Sequence, residues 1–104
     1  MSTNPQTKER IEKMLSENKV FLFMKGNPQF PQCGFSARAV AILQNLEAKF
    51  NTFDVLEDPE IREGIKEFAS WPTIPQLYVN KELVGGSDIM MEMYESGELK
   101  ELLG

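Results

Sequence analysis

Val20-Phe21-Leu22-Phe23-Met24 runs into Lys25-Gly26-Asn27-Pro28-Gln29-Phe30-Pro31-Gln32, and that into Cys33-Gly34-Phe35-Ser36. The opening run is apolar and rich in β-formers, which fits a strand buried on both faces. The middle stretch carries a glycine and two prolines and reads as a loop. From Gly34 to Lys49, Phe35, Ala39, Val40, Leu43 and Leu46 recur at helical intervals. The spacing predicts a long helix whose N-terminus lies at Cys33. Strand, loop and helix in this order begin a β–α–β unit, and the rest of the chain is read outward from it.

Upstream, Ile11, Met14 and Leu15 predict a helix from about Lys8 to Glu17, ending at Asn18. Residues 1–7 are polar and are expected to form a disordered tail. Downstream, Phe50 to Val55 is a second strand. Asp58-Pro59 then has the form of an N-cap followed by a first-turn proline. The helix it opens carries Ile61, Ile65 and Phe68, and Trp71-Pro72 breaks the pattern after Ser70. Gln76–Val79 and Glu82–Val84 flank Asn80-Lys81 as a hairpin. After Gly85-Gly86, Ser87 or Asp88 caps a helix with Ile89, Met90, Met93 and Tyr94; Gly97 ends it, and Glu98–Leu103 adds a further turn or two. The order α–β–α–β–α–β–β–α calls for an α/β fold. Its four-stranded mixed sheet would be flanked by helices, parallel in the β–α–β unit and antiparallel in the hairpin. Residues 1–104 are expected to form one domain.

Bulk properties narrow the function. Of 104 residues 41% are hydrophobic, enough for a single core. The formal net charge of −5 argues against nucleic acid as the main partner. No apolar stretch approaches membrane-spanning length, so no membrane partner is expected. Histidine is absent, which removes the usual imidazole base and metal ligand. Cys33 is the single cysteine, so an intrachain disulfide is impossible and one chain cannot build a four-cysteine metal site. Nothing at the N-terminus has the apolar run of a signal peptide. A cytoplasmic location is therefore expected, with a mature organellar matrix protein as the alternative.

Four places carry candidate chemistry. A cysteine at a helix start meets unpaired amides and a positive dipole end, which favours thiolate, and Lys25 adds a nearby charge; the same residue also fits as a small inert hydrophobe. Gly34 permits close backbone approach to a bound sulfur, and Phe35 can pack on ligand or core. Thr73-Ile74-Pro75 suits either a cis peptide that turns the Ile74 backbone outward or an ordinary trans proline at a strand start. Gly86, Ser87 and Asp88 suit carboxylate capture by exposed amides, with Asp88 facing an ammonium, or plain capping. Arg62 has the fork that pairs with a carboxylate, or is a solvated surface arginine.

Taken together, Met24-Lys25-Gly26, Cys33-Gly34-Phe35-Ser36, Trp71-Pro72-Thr73-Ile74-Pro75-Gln76 and Gly85-Gly86-Ser87-Asp88 resemble the monothiol, CGFS-type glutaredoxins, over about Lys8 to Leu103. The resemblance implies a thioredoxin fold and a glutathione groove. Lys25 and Arg62 would hold the glycyl carboxylate, and the Ile74 backbone before a cis Pro75 would pair with the cysteinyl unit. The Ser87 backbone and Asp88 would hold the γ-glutamyl end. Ser36 stands where dithiol relatives have a second cysteine, so chemistry at Cys33 needs an outside thiol or a metal. The resemblance further implies a [2Fe–2S] cluster bridging a homodimer, with Cys33 as metal ligand and glutathione supplying the remaining thiolates, and with iron–sulfur donor and recipient proteins as partners. One departure is Ser87, where many relatives carry another cysteine. The competing function is a glutathione-dependent thiol–disulfide oxidoreductase acting on glutathione mixed disulfides through Cys33.

Overall fold

The computed structural model describes residues 4–104. Its elements are α1 (Pro5–Glu17), β1 (Val20–Met24), α2 (Gly34–Asn45), β2 (Asn51–Asp54), a 3₁₀ turn (Val55–Glu57), α3 (Pro59–Ala69), β3 (Gln76–Val79), β4 (Glu82–Gly85), α4 (Ser87–Ser96) and α5 (Glu98–Leu103). The sheet order is β2-β1-β3-β4. β1 runs parallel to β2 and antiparallel to β3, and β3 pairs antiparallel with β4. This is the four-stranded mixed sheet expected from the sequence, in the thioredoxin fold.

β1 is the hinge of the architecture, and every one of its residues is buried. Because side chains alternate along a strand, Val20, Leu22 and Met24 pack with Val40, Leu43 and Met90, whereas Phe21 and Phe23 pack with Ile11, Ile61, Ile65 and Tyr78. α2 and α4 thus cover one face of the sheet, and α1 and α3 cover the other. The absence of polar alternation in β1 follows directly from this double cover.

Several boundaries differ from the sequence reading. α1 begins at Pro5, so Pro5–Thr7 are helical and not part of a disordered tail. Asn4 caps this start by accepting the Gln6 N–H at 2.8 Å, and buried Thr7 donates its hydroxyl to Glu60 at 3.2 Å. Residues 1–3 of that expected tail lie outside the described residues. α2 ends at Asn45, short of Lys49, because the Leu46 amide closes the last turn and Glu47 takes a left-handed conformation (φ 54°) that stops propagation. β2 stops at Asp54, and Val55 turns into the 3₁₀ segment. Gly86, not Ser87 or Asp88, is the N-cap of α4. Asp58 caps α3 as expected, accepting from Glu60 and Ile61. Asn80 and Lys81 both take positive φ, the conformation of a two-residue hairpin turn.

Candidate functional site

Cys33 is the N-cap of α2, reached by the loop that leaves β1. That loop is tied at both ends. The Gly26 N–H donates to Asp54 at 2.9 Å and the Gln32 N–H to the Lys25 carbonyl at 2.9 Å. Within it, the Asn27 carboxamide accepts from the amides of Gln29 and Phe30, and the Gln32 side chain donates to the Phe30 carbonyl. Gly26 has no alternative residue: φ is +86°, and a Cβ would fall 2.5 Å from the Phe30 carbonyl oxygen.

The thiol is half-buried. Its pKa lies below the ordinary thiol value. The main cause is the Ser36 backbone amide; partial burial opposes it, while the Phe35 amide, the Lys25 charge and the Ser36 hydroxyl add to the lowering. This is the helix-start effect expressed through identified donors. Ser36 itself is fully buried, and its oxygen accepts the Lys25 N–H at 3.0 Å. One hydroxyl therefore ties the end of β1 to the first turn of α2 beneath the sulfur.

Across from Cys33 lies the segment between α3 and β3. The Ile74–Pro75 peptide is cis. Gln76 is fully buried behind it: its amide nitrogen donates to the carbonyls of Trp71 (3.1 Å) and Thr73 (3.2 Å), and its oxygen accepts the Tyr78 hydroxyl at 2.9 Å. Burial pushes the Tyr78 pKa up, so its hydroxyl stays a donor. Gly86 completes this wall; a Cβ there would approach the Pro75 carbonyl oxygen to 3.3 Å.

A cavity of about 460 Å³ opens between these walls, and Lys25, Cys33, Phe35, Lys66, Trp71, Thr73, Ile74, Pro75, Gly86, Ser87 and Asp88 are among its lining residues. The sequence candidates Lys25, Cys33, Phe35, Ile74, Pro75, Gly86, Ser87 and Asp88 are thus brought together. Gly34 and Arg62 are not among the lining residues. Gly34 sits exposed beside the thiol, and an added Cβ there meets nothing within 4 Å. Arg62 keeps its Nε buried without a partner among the described residues. Lys66, one helical turn further along α3, lines the cavity. Lys66 and Trp71 escaped sequence reasoning as groove residues. The i, i+4 relation between Arg62 and Lys66 was the available signal, since both lie on one stripe of the helix. No cluster of three or more His, Cys, Asp or Glu side chains able to hold a metal ion occurs among the described residues. No helix among them is long and apolar enough to cross a membrane.

Fold and site together define a thioredoxin-fold protein with one activated thiol facing a peptide-sized groove. Comparison with known proteins narrows this class. Residues 20–84 match the glutaredoxin family model. A Synechocystis protein described as an uncharacterized monothiol glutaredoxin (ycf64-like) is 60% identical over 100 residues, covering 96% of this chain and 94% of its own. The solution structure of reduced poplar apo GrxS14 superposes with a TM-score of 0.83 at 50% identity, over 97% of this chain and 93% of that one. A buckwheat glutaredoxin–glutathione complex shares the fold, with a TM-score of 0.84 at 20% identity over 94% and 87% of the two chains. The chain belongs to the glutaredoxin family, in its monothiol branch.

Proposed function

We propose that this chain, acting as a single glutaredoxin domain, binds glutathione in the groove and, as a pair of chains, carries a [2Fe–2S] cluster from donor to recipient proteins. One observation carries the reading: a single half-buried thiol, favoured as thiolate, opens onto a groove with lysines on one side and a helix start on the other.

Glutathione is an extended tripeptide with a carboxylate at each end and an ammonium at one. Lys25 and Lys66 suit the glycyl carboxylate. The Ile74 backbone ahead of Pro75 suits the cysteinyl unit, with Phe35 as a wall. The amides at the start of α4, around Gly86 and Ser87, suit the γ-glutamyl carboxylate, and Asp88 suits its ammonium. The glutathione held by the buckwheat glutaredoxin supports this use of the shared fold. The donor set also fits the cluster as cargo. One chain offers a single thiolate, whereas two chains and two glutathiones offer four. Cys33 is only partly buried, which leaves its sulfur approachable from outside. With Ser36 at the second motif position, no internal disulfide competes for the thiolate. A reducing compartment, cytoplasm or organelle matrix, suits this chemistry.

Anaerobic reconstitution with iron, sulfide and glutathione tests the proposal. The expected result is visible absorption and a shift from monomer to dimer, both abolished in Cys33→Ser. Rapid turnover of a glutathione mixed disulfide with no coloured species would favour the oxidoreductase reading instead.

A further inference from the structure

Five consecutive residues, Trp71-Pro72-Thr73-Ile74-Pro75, line the groove, yet they belong to no helix or strand. Two of the five are prolines, which have no N–H to give to a backbone ladder. The Trp71 N–H fastens the start of the segment to the Lys66 carbonyl at 2.9 Å. Gln76, the first residue of β3, holds the middle from behind. Its side chain is fully buried and is not among the lining residues. A buried carboxamide is costly unless its donors and its oxygen are paired. Here they are paired: the nitrogen donates to the Trp71 and Thr73 carbonyls, and the oxygen accepts the Tyr78 hydroxyl. The Tyr78 ring is fixed in turn against Phe23 and Phe68, with centroids 5.8 and 6.5 Å away. Across a planar trans peptide the C=O and the N–H point opposite ways, and the Thr73–Ile74 peptide is trans. Drawing the Thr73 carbonyl back to Gln76 therefore aims the Ile74 N–H away from Gln76, towards the groove that Ile74 lines.

We propose that Gln76 is a positioning residue for glutathione: held by Tyr78, it sets the Thr73–Ile74 peptide so that the Ile74 N–H meets the carbonyl of the tripeptide's cysteinyl unit. This rests on the glutathione reading above. Gln76 and Tyr78 stand behind the ligand and act on it through the segment, so that the aromatic core sets the shape of the binding wall.

Titration calorimetry of wild type, Gln76→Leu and Tyr78→Phe tests this with two ligands, glutathione and an analogue in which an alkene replaces the cysteinyl–glycyl peptide bond. Circular dichroism controls for fold. Gln76→Leu is expected to weaken glutathione binding about tenfold, and Tyr78→Phe about threefold. The alkene is expected to cost about tenfold in wild type and less than about twofold in Gln76→Leu, since a contact already lost cannot be lost again. The pH midpoint of Cys33 alkylation, set on the opposite wall, is expected to stay in place in both variants. Equal alkene penalties in wild type and Gln76→Leu, or a shifted alkylation midpoint, overturn the inference, because the damage is then general. Folded variants that bind glutathione like wild type overturn it as well and leave the glutathione reading standing. Should Gln76→Leu fail to fold, Tyr78→Phe decides: its smaller loss, with a reduced alkene penalty, supports the inference, and unchanged binding overturns it. A wild type that binds no glutathione overturns both readings.

Discussion

The two walls of the groove are built on opposite plans. On the Cys33 wall, the backbone from Lys25 to Ser36 is bound at nearly every turn, through Asp54, Asn27, Gln32 and the buried Ser36 hydroxyl. On the wall that faces it, the side chains of Lys66 of α3 and of Trp71 just beyond that helix are loosely engaged. Lys66 pairs at 3.3 Å with well-exposed Glu63, and the Trp71 indole N–H is buried with no partner among the described residues. The contrast teaches a division of labour. The first wall fixes the position and charge of a sulfur before any ligand arrives, and preorganisation of that kind lowers the cost of binding. The second wall leaves the Lys66 ammonium at the groove, where the proposed reading sets a glutathione carboxylate.

Collapsing the ordered wall is the most severe way to break this contrast. Gly26→Ala forces a side chain into a left-handed position and against the Phe30 carbonyl. The expected cost is about 2–3 kcal/mol, a fall of roughly 10–20 °C in Tm, measured by thermal unfolding. An unchanged Tm would show that the loop gives way more easily than its hydrogen bonds imply.

Ser36→Ala sharpens the contrast by removing one atom. The Lys25 N–H loses its acceptor, for about 1–2 kcal/mol, and the sulfur loses a donor while keeping the amides of Ser36 and Phe35. The sign follows from the lowered pKa. In the wild type the thiolate persists below the pH at which a free thiol protonates, and alkylation slows only as pH falls through the lowered value. Ser36→Ala is expected to move that midpoint upward, and the pH profile of iodoacetamide alkylation reads it out.

The smallest effect separates the two cations of α3. Lys66→Ala is expected to weaken glutathione binding about five- to tenfold, or roughly 1–1.4 kcal/mol, whereas Arg62→Ala changes it less than about twofold, a difference of under roughly 0.4 kcal/mol. Titration calorimetry with both variants measures the difference. The reverse order would assign the carboxylate contact to Arg62.

Much of the fold was legible because its signals are strong and local. The unbroken apolar run of β1, the Asp58-Pro59 start of α3 and the hairpin residues Asn80-Lys81 each say what they become. The end of α2 was not legible: Leu46 continues the helical period, while Glu47, with no glycine to announce it, turns left-handed. The start of α1 was hidden in a polar stretch, because it is stabilised by Asn4 and by the tertiary contact from Thr7 to Glu60. At the site, the motif around Cys33 identified the thiol and its helix. Which residues of the α3 stripe reach the cavity depends on how far along the helix axis the groove lies, which spacing along one stripe leaves open. The role of Gln76 depends on Tyr78, two residues on, and on carbonyls that only the folded loop turns inward.

Native mass spectrometry of the anaerobically loaded protein tests the central claim most directly. The account predicts one species of two chains, two glutathiones and one [2Fe–2S] unit, missing from Cys33→Ser. A single chain with or without glutathione, and no iron under the same conditions, would contradict it.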